Sequence, residues 1–150
     1  MKKSLLHKEA ADEIIARVKK LQPDTANHWG KMNATEMLLH CNISNKHILE
    51  DEIAYEKPGI IKKILAFVAV NILPQFPKNN KGPARTHTKG LIDTGKFEEQ
   101  RQQFIDQVNA FPVRTKPFTS LHPAMGFLKT KDWGVITWMH MDHHLRQFGV

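Results

Sequence analysis

The chain has 150 residues, 41% hydrophobic and 25% charged, which is enough to bury one core and excludes a disordered or fibrous polypeptide. Its single cysteine, Cys41, excludes an intramolecular disulfide. The net charge of +7 favours anionic partners in general, but no run of Lys and Arg exceeds two, and no basic stripe with interleaved aromatics argues for nucleic acid.

The first expected helix runs from Ser4, as N-cap, to Leu21, with Leu6, Ile14, Val18 and Leu21 on one face and Pro23 as its stop. The second begins with Asn33-Ala34-Thr35-Glu36, a capping box, and runs to about Glu52. Its inward face is Met37, His40, Cys41, Ser44, His47 and Ile48. Pro58 suits the first turn of a short third helix, Gly59 to Leu73, which is apolar nearly all round from Ile64 to Val70. Such a helix is either buried, a surface patch or a dimer contact, and a homodimer is the expected assembly. Lys62, Lys63 and Asn71 interrupt it, and it is too short to span a bilayer, so no membrane partner is expected.

A basic loop follows, with Lys78, Lys81, Arg85, His87 and Lys89. The fourth helix runs from about Thr94 to Ala110 on the stripe Phe97, Phe104, Ile105 and Val108. A long loop, Phe111 to Lys129, holds His122-Pro123, and the last helix runs from Thr130, as N-cap, to Phe148. No stretch alternates like a strand, so the expected fold is all-α without a sheet. Four long helices with a long connection between the second and fourth describe a four-helix bundle with one crossover that carries the short extra helix. Residues 1–150 form one domain. The start of the chain lacks the apolar run of a signal peptide, which with the lone thiol points to the cytoplasm.

Nine histidines are unusual for this length, and His140, His143 and His144 crowd into five positions. On a helix, His140 and His144 stand one turn apart on one face, the spacing at which two imidazoles share a metal. Asp142 points to the other side. His40, between Met37 and Cys41 on the apolar face of the second helix, is the best third ligand, because bundles build metal sites from facing helices. His47, two turns from His40, is too distant for the same ion. Around these ligands, Glu36, Cys41, His122, Trp133, Thr137 and His143 are candidates for the second shell or the pocket wall. Glu36 serves either the capping box or the site, Cys41 either the core or the site, and His143 points outward or supports the ligands.

The sequence resembles the DinB/YfiT-like metalloenzyme superfamily, and within it a branch ending in a His-His-Leu-Arg-Gln-Phe-Gly tail. The matching pieces are Trp29-Gly30-Lys31-Met32, Met37-Leu38-Leu39-His40, Phe76-Pro77-Lys78, His122-Pro123-Ala124-Met125-Gly126, Asp132-Trp133-Gly134 and His140 through Gly149. Met125 departs from the pattern, which has an aromatic there. The resemblance implies a four-helix bundle with one crossover and a three-histidine site made of His40, His140 and His144. It also implies chemistry with a low-molecular-weight thiol, since some members are thiol-dependent transferases or isomerases.

Three neutral imidazoles would leave the full charge of a divalent ion, zinc or nickel first and iron or manganese next, to activate water or a thiol. The leading expectation is therefore a metal-dependent enzyme acting on a small molecule. A metal-binding bundle without catalysis, and a basic module that binds an anionic partner, are the alternatives.

Overall fold

The computed structural model describes residues 2–50, 59–78 and 86–150. Five α-helices dominate the described residues: α1 (Lys8–Val18), α2 (Ala34–Leu49), α3 (Ile60–Phe67), α4 (Phe97–Val113) and α5 (Thr130–Gln147). A π-helical turn, Val68–Ile72, continues α3, and a 3-10 turn, Thr94–Lys96, leads into α4. α1 packs on α4 and α5, and α2 packs on the same two helices. Their shared core holds Ile14, Val18, Met37, Leu38, Phe104, Val108, Phe111, Met141 and Leu145, each buried. These positions recur at helical spacing, so each helix turns one apolar face to the others and leaves its charges outside.

α2 starts as its sequence dictates. The Asn33 side chain accepts from the Glu36 backbone N–H at 2.9 Å, and Glu36 Oε2 accepts from the Asn33 N–H at 2.8 Å. α2 closes at Leu49 with Glu50 as its cap; the acids beyond it and Pro58 lie outside the described residues. So do Lys81 and Arg85 of the basic loop.

Several helix boundaries differ from expectation. α1 begins at Lys8 with His7 as N-cap, not at Ser4. Ser4 instead turns the chain, accepting from the His7 N–H through its carbonyl, while the Leu5 N–H bonds the carbonyl of Gly134 on α5. Gly134 permits this close approach, because a methyl there would collide with Ser4 Oγ and Leu6 Cγ. α1 also ends at Val18, three residues before the expected Leu21, which is still fully buried. α4 runs past Ala110 through Pro112 to Val113. The N-cap of α5 is Lys129, and Thr130 is its first residue.

The expectation of no sheet is corrected by a hairpin, β1 (Leu121–His122) paired antiparallel with β2 (Gly126–Phe127). Strands of two residues are too short to show alternation. The turn is instead held by a side chain: His122 Nδ1 accepts from the backbone N–H groups of Ala124 and Met125, each at 3.2 Å. Gly126, at φ +67, takes the left-handed conformation that closes it.

A candidate metal centre between the second and last helices

α5 presents His140 and His144 one turn apart, and α2 presents His40 opposite them. His140 Nε2 lies 3.0 Å from His40 Nε2 and 3.1 Å from His144 Nε2, and all three ligand atoms fall within 4.8 Å of one another. The ring centroids are 4.6–5.1 Å apart and the planes cross at 67–78°, like three blades around one axis. An ion bonded to two nitrogens at about 2.05 Å holds them about 2.9 Å apart at a right angle and about 3.3 Å apart at a tetrahedral angle. Two of the three edges already fall in that window. Three buried histidines can therefore hold one metal ion.

The far side of each ring fixes its hydrogen. His40 Nδ1 is 2.6 Å from the carbonyl oxygen of Thr86, which can only accept, so Nδ1 carries the hydrogen and Nε2 presents a lone pair. His144 Nδ1 is 2.9 Å from Gln147 Oε1. That amide is oriented in turn by its Nε2, which donates to the Trp29 carbonyl at 2.6 Å. His144 thus also carries its hydrogen on Nδ1 and offers Nε2. Two bare nitrogens converge on His140 Nε2, which can supply one hydrogen at most. The cluster is short of hydrogens and rich in lone pairs, a pattern that a cation satisfies.

Burial holds all three imidazoles neutral. It pulls His40 below the usual histidine range, against the opposing effect of the Thr86 carbonyl. It pulls His140 well below, with His144 and His40 adding to the shift. His144 falls to about 3, through burial first and the neighbouring His40 second. Neutral rings are the ligand form. His140 is the one histidine of the three that keeps partial exposure as a residue.

The other candidate residues separate into those that reach the site and those that do not. Glu36 belongs to the helix start: beyond the capping box, its Oε1 accepts from the Gly90 N–H at 2.6 Å, and it has no bond to His40. Cys41 is fully buried with Sγ 3.7 Å from Met37 Sδ, and burial raises its thiol far above the usual range. It is not among the converging atoms. His143 does not point outward: it is buried, its ring meets Trp29 edge-on at 5.8 Å and stands 5.1 Å from His144. Burial lowers its pKa, a backbone hydrogen bond at Phe76 opposing. Trp133 and Thr137 are buried on the same stripe of α5 as the two ligands, and His122 packs 5.6 Å from the Trp133 ring. The Thr137 hydroxyl and the Trp133 indole N–H bond no group among the described residues. Met125 is buried in the core, its N–H on His122 Nδ1. His47 faces the Leu121 carbonyl at 3.4 Å, away from the triad.

Asp142 turns from the site and pairs with Arg17 of α1 and Arg146 of α5, both at 2.8 Å. Sequence reasoning did not find Thr86 or Gln147. A Gln three residues after the second histidine, on its own helical face, was a readable signal; a backbone carbonyl 46 positions from His40 was not.

The chain belongs to a family described as "protein of unknown function (DUF1569)", whose model matches residues 1–149. Comparison with curated proteins and with solved structures gives no match.

Proposed function

For this member of the DUF1569 family we propose a divalent-metal-dependent enzyme that works on a small molecule, with His40, His140 and His144 as the metal ligands and a low-molecular-weight thiol as co-substrate. The observation that carries it is the convergence of three Nε2 atoms, two of them held bare by Thr86 and Gln147. When bound, zinc or nickel, or else iron or manganese, would supply a Lewis-acidic centre that favours the ionised form of a thiol or of water.

The protein's own part is to hold three neutral donors in place and to keep the site dry. Burial of His40 and His144 among core side chains does the second. A closed structural zinc site takes four protein ligands. Here three histidines converge and the nearby thiol of Cys41 faces Met37, which favours an open centre. The buried Thr137 hydroxyl and Trp133 indole, one and two turns before His140 on the same stripe, would line the approach and hydrogen-bond the substrate. The likeness to the DinB/YfiT-like superfamily supports the thiol and supports reading the four long helices as a bundle with one crossover.

Cobalt(II) tests this reading. The protein should take up one equivalent and develop visible d–d bands. Titration with a small thiol should then add a sulfur-to-cobalt charge-transfer band. A spectrum indifferent to thiol would refute the thiol assignment, and no uptake would refute the metal centre.

A further inference from the structure

Trp133 and Thr137 are 2% and 1% exposed, and neither the indole N–H nor the hydroxyl bonds any group among the described residues. A buried donor left without an acceptor is costly, so two of them on one stripe point to something that answers them. At about 100° per residue, Trp133, Thr137, His140 and His144 fall within about 60° of arc on α5. Thr137 stands about 4.5 Å along the helix axis from His140, and Trp133 about 6 Å further. Residues four apart hold their Cβ atoms about 5–6 Å apart. One acceptor oxygen can bridge such a gap with two bonds of about 2.9 Å.

The charges of the two helices select the acceptor. α2 carries Glu36 and Lys46. Glu36 accepts from the Asn33 and Gly90 N–H groups, and Lys46 is exposed, 3.8 Å from Glu50. α5 carries Lys131, Asp132, Asp142 and Arg146. Lys131 is exposed, Asp132 lines the groove against Lys63 and Phe67 of α3, and Asp142 pairs with Arg17 and Arg146. No charged side chain of either helix turns to the stripe. A carboxylate or ammonium buried there would lose its hydration and gain no counter-charge. An indole N–H can only donate, and a threonine hydroxyl can donate beside it. Their complement is an uncharged group with two lone pairs on one atom, which describes a carbonyl oxygen. This inference rests on the metal-centre reading above: we propose that the substrate carries an uncharged carbonyl, of amide or ester type, whose oxygen accepts from Trp133 Nε1–H and Thr137 Oγ–H one turn from the metal ligands. The two residues then determine specificity, admitting a neutral carbonyl compound and rejecting the corresponding acid.

The indole signals of the metal-free, ¹⁵N-labelled protein test it. The chain has three tryptophans, and Trp133→Phe identifies the signal of Trp133. N-methylacetamide should shift that signal downfield and saturably and leave Trp138 unmoved, while acetate should leave both in place. Thr137→Val keeps the shape and removes the hydroxyl, so it should weaken the amide titration by about tenfold, the equivalent of one hydrogen bond. Thr137→Ser restores the hydroxyl and should restore the titration, and circular dichroism should show the fold intact in both variants. A Trp133 signal indifferent to N-methylacetamide, an equal response to acetate, or a Thr137→Val protein that titrates like the parent would overturn the proposal. The readout needs no metal, so its failure is distinct from failure of the metal centre: a chain that binds cobalt without the indole shift keeps the centre and loses the carbonyl subsite.

Discussion

The Nδ1 of His144 lies 2.9 Å from the side-chain oxygen of Gln147, and through that amide the ring is tied to the backbone of Trp29. One turn of α5 and one loop residue thereby decide which nitrogen of His144 faces the centre. Gln147→Met keeps the volume and removes both bonds. Its affinity for a divalent ion should drop about 10- to 100-fold, measured by competition with a chromophoric chelator. Affinity within twofold of the parent would show that the amide does not set the ligand.

Gly30 makes the same chain of bonds possible. Its φ is +84, and an added methyl would collide with Gln147 Nε2. Gly30→Ala should cost about 1–3 kcal/mol of stability from the left-handed backbone and should weaken metal binding through Gln147. Chemical denaturation and the chelator competition read the two effects separately. A variant as stable and as tight-binding as the parent would contradict the arrangement.

Much of this was legible in the sequence where the signal is local. The capping box at Asn33 and Glu36 fixed the start of α2, and the helical spacing of His140 and His144 pointed to two of the three histidines of the triad. His40 followed because it sits on the apolar face of α2. What escaped is carried by backbone atoms and by distant packing. Ser4 looks like an N-cap, but its Leu5 neighbour bonds Gly134 of α5, and that tertiary contact outweighs local preference. The hairpin at Leu121–Phe127 is held by the His122 ring rather than by strand pattern. On α5 alone His143 reads either as outward or as a support for the ligands, and Trp29 from another segment covers it.

Acid should destabilise the metal-free protein. A histidine whose folded pKa lies below its unfolded value takes up its proton in the unfolded chain first. Stability is therefore complete above about pH 6.5 and is lost as pH falls from there toward the folded value. For His144, with a folded value of about 3, the loss at pH 5 is about 2 kcal/mol. His40 and His140 shift the same way and add to it. Urea unfolding of the apoprotein at pH 7 and pH 5 should show a lower midpoint at pH 5, and a saturating metal should narrow the gap. Equal midpoints would contradict neutral, buried imidazoles.

Cys41 should behave as core. Cys41→Ala should keep the metal stoichiometry and lose about 1 kcal/mol of stability through the small cavity it leaves. Alkylation of the native thiol should be far slower than that of the unfolded chain, because burial raises its pKa and hides its sulfur. A metal content that falls in Cys41→Ala would place the thiol in the centre after all.

The most direct test is elemental analysis of the purified protein after equilibration with zinc, nickel, iron or manganese and removal of the excess, alongside single alanine variants. The three-histidine centre predicts one ion per chain in the parent. His40→Ala, His140→Ala and His144→Ala should each lose most of it, while His47→Ala and His143→Ala should retain it. A parent that takes up none of the four metals, or a His40→Ala protein that holds as much as the parent, would contradict it.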